Sequence, residues 1–284
     1  MLKQRIITAL VLLLFLLPAL FHHDTLYWRL LTLVLIAAGA WEWGRLNGLG
    51  PYGSWLGGFG ALVACVMTWD LGLLDRRLTL LWTLAGGAWV LAGAALLKAG
   101  VARWAGLPPA LRLIGGWAAL WLTWLAVVQA REIGVTFLLS VLLLVWMADV
   151  AAYFAGKALG GRYSRGKLAP AISPGKSWEG VWGGMVGVFV LAFLWLVLER
   201  AGVLPPPSLY GHLLVQAGWW LLLPAVLFLT AMSVVGDLVE SLVKRSAGMK
   251  DSSGLLPGHG GVLDRVDALL PTLPLALMLY SLTV

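Results

Sequence analysis

The chain has 284 residues with a formal net charge of +7, and 61% of them are apolar against 12% charged. Soluble domains run near about 45–50% apolar and about 25% charged, so a water-solvated globule is excluded. The apolar residues come in blocks close to the ~20 that span a bilayer core. One cysteine, Cys65, excludes an intramolecular disulfide and a thiolate metal centre; inside its apolar block it reads as a small hydrophobe.

In chain order the blocks predict spans at residues 6–21, 27–43, 54–69, 78–97, 111–129, 133–154, 178–198, 217–235 and 267–284. The first follows Lys3 and Arg5 as a signal peptide would, but Pro18-Ala19-Leu20-Phe21-His22 offers no small-residue cleavage site, so it reads as a retained helix. Tyr27, Trp28, Trp41, Trp43, Trp55, Trp69, Trp178, Trp219 and Trp220 sit near span ends and read as interfacial anchors. The expectation is an all-α polytopic membrane protein of about nine transmembrane helices. Residues 1–130 would form about five N-terminal spans, and residues 131–284 a C-terminal transmembrane region that holds the longest polar loops.

Alternating the sides of nine spans puts fifteen of the twenty Lys and Arg on the side of the N-terminus, Arg165 among them. The other side keeps Arg29, Arg76, Arg77, Arg131 and Arg200. The positive-inside rule then makes the first side cytoplasmic. The two longest polar stretches, residues 155–177 and 236–266, both fall there, so the site is expected at the cytoplasmic ends of the C-terminal helices. Pro205-Pro206-Pro207 lies on the opposite face and reads as a stiff turn.

Seven acidic residues, Asp149, Glu179, Asp237, Glu240, Asp251, Asp264 and Asp267, gather at the cytoplasmic ends of the last four spans or in their loops. A carboxylate at membrane depth is costly and marks a functional site by default. Ser233, Asp237, Glu240, Ser241 and Lys244 share one helix face by their spacing, which by itself fits equally an interfacial helix with internal ion pairs. The loop that follows, Lys250 to Asp267, packs glycines with His259, Lys250, Arg265 and three carboxylates. Glycine allows close backbone approach to a ligand, cations bind phosphate, and hard carboxylate oxygens suit Mg²⁺ that also holds phosphate. That combination predicts a nucleotide phosphate and metal site. Ser173 or Ser177 could cap the seventh span with Pro174 in its first turn, aiming the helix N-terminus at an anion. Gly175-Lys176-Ser177 is no Walker A motif, because Pro170 stands where its first glycine belongs and no strand is expected before it.

Across all 27 positions the stretch Ser241 to Asp267 resembles the signature of the phosphatidate cytidylyltransferase family. Asp149 to Lys157 and Ser173 to Gly180 also resemble that family's upstream motifs, while the first 130 residues match it only in hydropathy. The resemblance implies attack by the phosphate of phosphatidic acid on the α-phosphorus of CTP, giving CDP-diacylglycerol and pyrophosphate in phospholipid biosynthesis. It implies metal binding by Asp237 and Asp264, with Asp149, Asp251 and Asp267 as further candidates, for Mg²⁺ and a second cation if two are used. Lys250, Asp251, His259 and Arg265 are the catalytic candidates; Lys176, Ser177, Lys244, Arg245, Gly260 and Gly261 are the phosphate-binding ones. CTP, phosphatidic acid and membrane lipid are the expected partners, with no nucleic acid, and the expected location is a bacterial plasma (inner) membrane.

Two rival functions share parts of this pattern. Another CTP-dependent enzyme of lipid or polyprenol substrates would use the same chemistry, and a transporter would place its acids at the midplane rather than at one face. Glycine runs at Gly57, Gly58, Gly60 and at Gly183, Gly184, Gly187 suit close helix approach, within the chain or in a homodimer.

Overall fold

A computed structural model describes residues 2–164 and 166–284, so Arg165, counted above in the charge asymmetry, lies outside the described residues. The chain folds as a helical bundle: α1 (Leu2–Phe21), α2 (Leu26–Leu46), α3 (Pro51–Asp70), α4 (Thr79–Ala105), α5 (Pro109–Ile133), α6 (Val135–Leu159), α7 (Trp178–Arg200), α8 (Leu209–Ala217), α9 (Trp219–Ser246), α10 (Leu263–Val266) and α11 (Leu269–Leu282). A helix thus stands at each of the nine expected span positions. Seven of them are long and apolar enough to cross a membrane: α1, α4, α5, α6, α7, α9 and the run Leu263–Leu282. At 21 and 20 residues α2 and α3 have the length, but α2 carries Arg29, Glu42 and Arg45, and α3 is diluted by Gly53, Gly57, Gly58 and Gly60.

Two local features depart from the expectations. Residues Lys167–Ala169 (β1) and Ser173–Ser177 (β2) pair as an antiparallel hairpin, so Pro174 lies in a strand and not in the first turn of α7. Gly175-Lys176-Ser177 belongs to that strand, which runs straight into α7 without the glycine-rich loop a P-loop would interpose. Ser177 is the N-cap of α7, its Oγ accepting from the Gly180 N–H at 3.2 Å. The second departure is α8, a short helix after the proline run, seated on Ser140 of α6 through the Leu209 N–H (3.0 Å) and the Tyr210 hydroxyl (3.0 Å).

Lipid tails are as apolar as the side chains, so helices associate here by close packing and internal hydrogen bonds rather than by escape from water. On α7 a Cβ at Gly183 or Gly187 would strike the Ala155 or Ala151 side chain of α6, and one at Gly184 would meet the Ala148 carbonyl. These glycines therefore bring α6 and α7 together within the chain, as Gly58 does for α3 against Ala37 of α2. Gly116 of α5 lies under the Trp43 indole of α2, which fills the space a Cβ would need. Trp28 and Trp43, expected as interfacial anchors, are buried and donate through their ring N–H groups to Val127 O (3.3 Å) and Arg112 O (2.9 Å). Tyr27, Trp55, Trp178, Trp219 and Trp220 are exposed, as anchors would be.

The bundle has two polar ends. At one, Arg131 donates to Leu20 O (2.7 Å) and His22 O (2.8 Å) at the close of α1, while Arg29 pairs with Glu132 at 2.6 Å. The other end gathers the hairpin, the end of α9, the glycine-rich loop and the start of α1, whose Thr8 hydroxyl donates to Pro257 O at 2.8 Å.

Candidate active site

Helix α9 is the spine of the site because its polar stripe runs along the face turned toward the loops. Asp237 and Lys244 are seven residues apart, hence roughly 10.5 Å along the axis at 1.5 Å per residue, and each organises its own cluster. Gly236, one residue before Asp237, lets α9 approach the start of α11 closely: a Cβ there would run into Asp267 O and the Pro271 ring.

Around Asp237 lies a cleft of about 460 Å³, walled by Asp149, Tyr153, Gly156 and Lys157 of α6, by Lys176 and Ser177 of β2, and by Gly180 at the start of α7. The Lys176 ammonium pairs with Asp237 Oδ2, and the Ser241 hydroxyl donates to Oδ1 at 3.3 Å. Asp149 faces the same space, and Asp267 of the α10–α11 connection lies within electrostatic reach of Asp149 and Asp237. Val181 and Val234 give the cleft an apolar wall, and Tyr153, 62% exposed, stands at its edge with Lys157 Nζ 6.0 Å from its ring centre.

The second cluster surrounds Lys244. Its ammonium pairs with Glu240 one turn back and donates to Asp264 Oδ1 at 2.6 Å. Asp264 Oδ2 accepts from the Ser252 N–H (2.9 Å), the Ser252 hydroxyl (2.8 Å) and the Gly261 N–H (2.7 Å). Asp264 thereby folds the glycine-rich loop onto its own carboxylate, and the Gly261 N–H is committed to it rather than free for a phosphate. Gly260, at φ 82° with a Cβ position overlapping Asp264 Oδ2, has to be glycine on both counts. Arg265 donates to His259 O at 2.7 Å, the His259 Nδ1 is buried without a partner, and Lys250 and Asp251 are exposed at the loop's entrance. Arg245 joins the two polar regions by donating to Ile172 O of the hairpin turn at 3.4 Å.

Of the expected site residues, then, Asp149, Lys176, Ser177 and Asp237 line one cleft, with Asp267 nearby. Lys244, Asp264, Gly260, Gly261 and Asp251 form the adjoining loop cluster. Asp237 and Asp264 do not share a ligand position, and among the described residues no three Asp, Glu, His or Cys side chains converge on a single point. Hard carboxylate oxygens nevertheless fit Mg²⁺, which characteristically takes one or two carboxylates and completes its shell with water and substrate phosphates.

Two carboxylates that sequence reasoning did not assign hold these loops in place. Glu179 Oε1 accepts from Tyr163 N–H (3.1 Å), Ser164 N–H (2.8 Å) and the Ser164 hydroxyl (2.8 Å), tying residues 163–164 to α7. Glu42, on α2 and fully buried, does the same for the glycine-rich loop. Its signal was legible as the lone acid of an apolar block. A second cleft, of about 350 Å³, lies at the other polar end around Arg76, Arg77, Glu132 and Tyr280, away from all of these residues.

Comparison with known proteins bears on what the clefts serve. Residues 3–283 match the cytidylyltransferase family. A protein of Pseudomonas aeruginosa named phosphatidate cytidylyltransferase is 41% identical over 284 residues, spanning 96% of this chain and 95% of its own. Its namesake in Haemophilus influenzae is 33% identical over 306 residues, spanning 96% of each chain.

Proposed function

Because this chain belongs to the cytidylyltransferase family, we propose that it transfers the cytidylyl group of CTP to phosphatidic acid, giving CDP-diacylglycerol and pyrophosphate. The observation that carries this reading is the meeting of two distant polar stretches: Lys176 of the hairpin pairs with Asp237 of α9, and Arg245 reaches Ile172. An oxygen of the phosphatidate phosphate forms the new P–O bond to the α-phosphorus, and the bond to the β-phosphate oxygen breaks as pyrophosphate leaves. The nucleophile is a phosphate monoester ionised near neutral pH, so the chain's task is to hold two polyanions in line and to offset developing charge.

Lys157 and Lys176, at the cleft around Asp237, supply positive charge for phosphate oxygens, and the Ser177 hydroxyl and the start of α7 add donors and the positive end of a helix dipole. Lys250, Arg245 and Arg265 border the same end of the bundle and would hold the pyrophosphate portion, with His259 hydrogen-bonding it and Asp251 beside Lys250. Asp237, with Asp149 or Asp267, would hold Mg²⁺, and Asp264 would hold a second cation if two are used. Mg²⁺ held there would supply positive charge to offset that of the phosphates. The apolar wall and the exposed Tyr153 leave the cleft approachable by a lipid whose acyl chains stay in hydrocarbon.

The charge asymmetry supports a cytoplasmic site in a bacterial plasma (inner) membrane, where CTP arrives from the cytosol. Gly60, open on its Cβ side, leaves a face of α3 available to a second copy in a homodimer. Incubating purified protein with labelled CTP, Mg²⁺ and a panel of lipid phosphates tests the proposal. Labelled CDP-diacylglycerol is the expected product; a nucleotide-lipid made only from another lipid phosphate, or none at all, overturns it.

A further inference from the structure

The glycine-rich loop is held from two sides, and only one of them lies in the C-terminal half of the chain. From α10, Asp264 gathers Ser252 and Gly261. From α2, more than two hundred residues away in sequence, Glu42 reaches the other side of the same loop. Glu42 is 0% exposed, and both its oxygens are used. Oε1 accepts from the Ser253 hydroxyl at 2.5 Å and the Val262 N–H at 2.9 Å; Oε2 accepts from the Ser252 hydroxyl at 3.2 Å and the Leu263 N–H at 2.8 Å. No Lys or Arg among the described residues forms an ion pair with it. An acid is thus buried against four neutral donors, all from one loop, and a Cβ on Gly261 would overlap its oxygen.

A buried carboxylate without a cation is costly, and removing it would strand the buried Val262 and Leu263 N–H groups that it accepts from. What Glu42 does that no apolar residue can is to join Ser252 and Ser253, which enter the loop, to Val262 and Leu263, which leave it. The span between carries Leu255, His259 and Gly260, so its two ends are drawn onto one side chain. Thr8 of α1 adds a further tie, to Pro257 O at the tip.

We infer that Glu42 is a positioning residue for cytidylyl transfer: it closes the glycine-rich loop so that Lys250, His259 and Arg265 keep their places beside the cleft. The inference rests on that loop serving the transfer reaction. It gives the N-terminal helices a part in catalysis although they touch no reacting atom.

Glu42→Gln keeps the volume but turns an NH₂ group toward at least one donor, so the loop loses its closure while the bundle keeps its packing. Two readouts on the purified full chain test this. In the first, kcat is expected to fall about 10²-fold, the scale of a 1 Å misplacement, while KM for the lipid stays within about twofold and the melting temperature follows that of Glu199→Gln. Glu199 serves as comparator because, among the described residues, its side chain accepts only from Ser208, at the opposite polar end. The second readout needs no activity: a spin label at Leu255→Cys in a Cys65→Ser background is expected to become more mobile when Glu42→Gln is added. If Glu42→Gln does not fold, Ser253→Ala removes one donor to Glu42, together with the acceptor of the exposed Leu255 N–H, which water can replace, and is expected to lower kcat about tenfold, the equivalent of one hydrogen bond. Wild-type kcat in folded Glu42→Gln, unchanged label mobility, or a loss of melting temperature with kcat preserved overturns the inference. A wild-type chain inactive on every lipid phosphate would fail the functional reading, and the label would still decide whether Glu42 orders the loop.

Discussion

Asp237 and Asp264 are the same residue type in two environments, and the difference is chemical. Asp237 stands at a cleft with one lysine and one hydroxyl against it, so a cation or a phosphate can compete for the space. Asp264 is surrounded by Lys244, Ser252 and Gly261 and is the knot of a folded loop. Asp237→Asn is therefore expected to lower turnover about 10²- to 10³-fold, the cost of one transition-state electrostatic contact, with melting temperature held and partial rescue at raised Mg²⁺. Asp264→Asn leaves the Lys244 charge without one of its partners and turns an amide onto N–H donors; at about 1–3 kcal/mol for each stranded group, stability should fall together with activity. Thermal melts beside turnover assays separate the two. Equal stability losses in both variants would contradict the assignment of different environments.

Helix packing carries this chemistry to its place. The crossing of α6 and α7 sets the distance between Asp149 on one helix and Ser177, Lys176 at the head of the other, and it depends on Gly183, Gly184 and Gly187 having no side chain. Gly184→Leu is expected to push the helices apart, at an overpacking cost of about 1–3 kcal/mol, and to widen the cleft. Turnover should fall although no polar group is lost. Gly116→Leu should also destabilise the bundle by displacing Trp43, one residue beyond Glu42, yet leave the α6–α7 cleft intact. Detergent melts and the phosphatidate KM of the two variants report the difference: KM is expected to rise for Gly184→Leu and to stay near wild type for Gly116→Leu.

For the molecule as a whole, the two polar ends make a prediction about sidedness. Tyr163 and Leu255 are exposed at the end that holds the site, and Val203 is exposed beyond the far end of α7. With Cys65→Ser as background, single cysteines at Tyr163 and Leu255 should react with an impermeant reagent from the cytoplasmic side, and one at Val203 from the other. Labelling of Tyr163→Cys and Leu255→Cys from opposite sides would break the proposed orientation.

Much of this was determined along the chain. Nine apolar blocks near the bilayer length foretold helices at nine places, because backbone groups in hydrocarbon must bond within their own segment. The acids, cations and glycines of residues 241–267 foretold a polar cluster at one end of the bundle, because carboxylates at membrane depth need partners close by. Tertiary structure alone decided how those residues are shared out: Asp237 to a cleft with Lys176, Asp264 to the loop's own backbone. It also decided that Trp28 and Trp43 are buried rather than interfacial and that Ser173–Ser177 is a strand. Glu42 marks the boundary most clearly. Its oddity in an apolar block was visible, but its four donors lie some two hundred residues further along, and hydrogen bonds over that separation follow from which helices pack together, which no local pattern encodes.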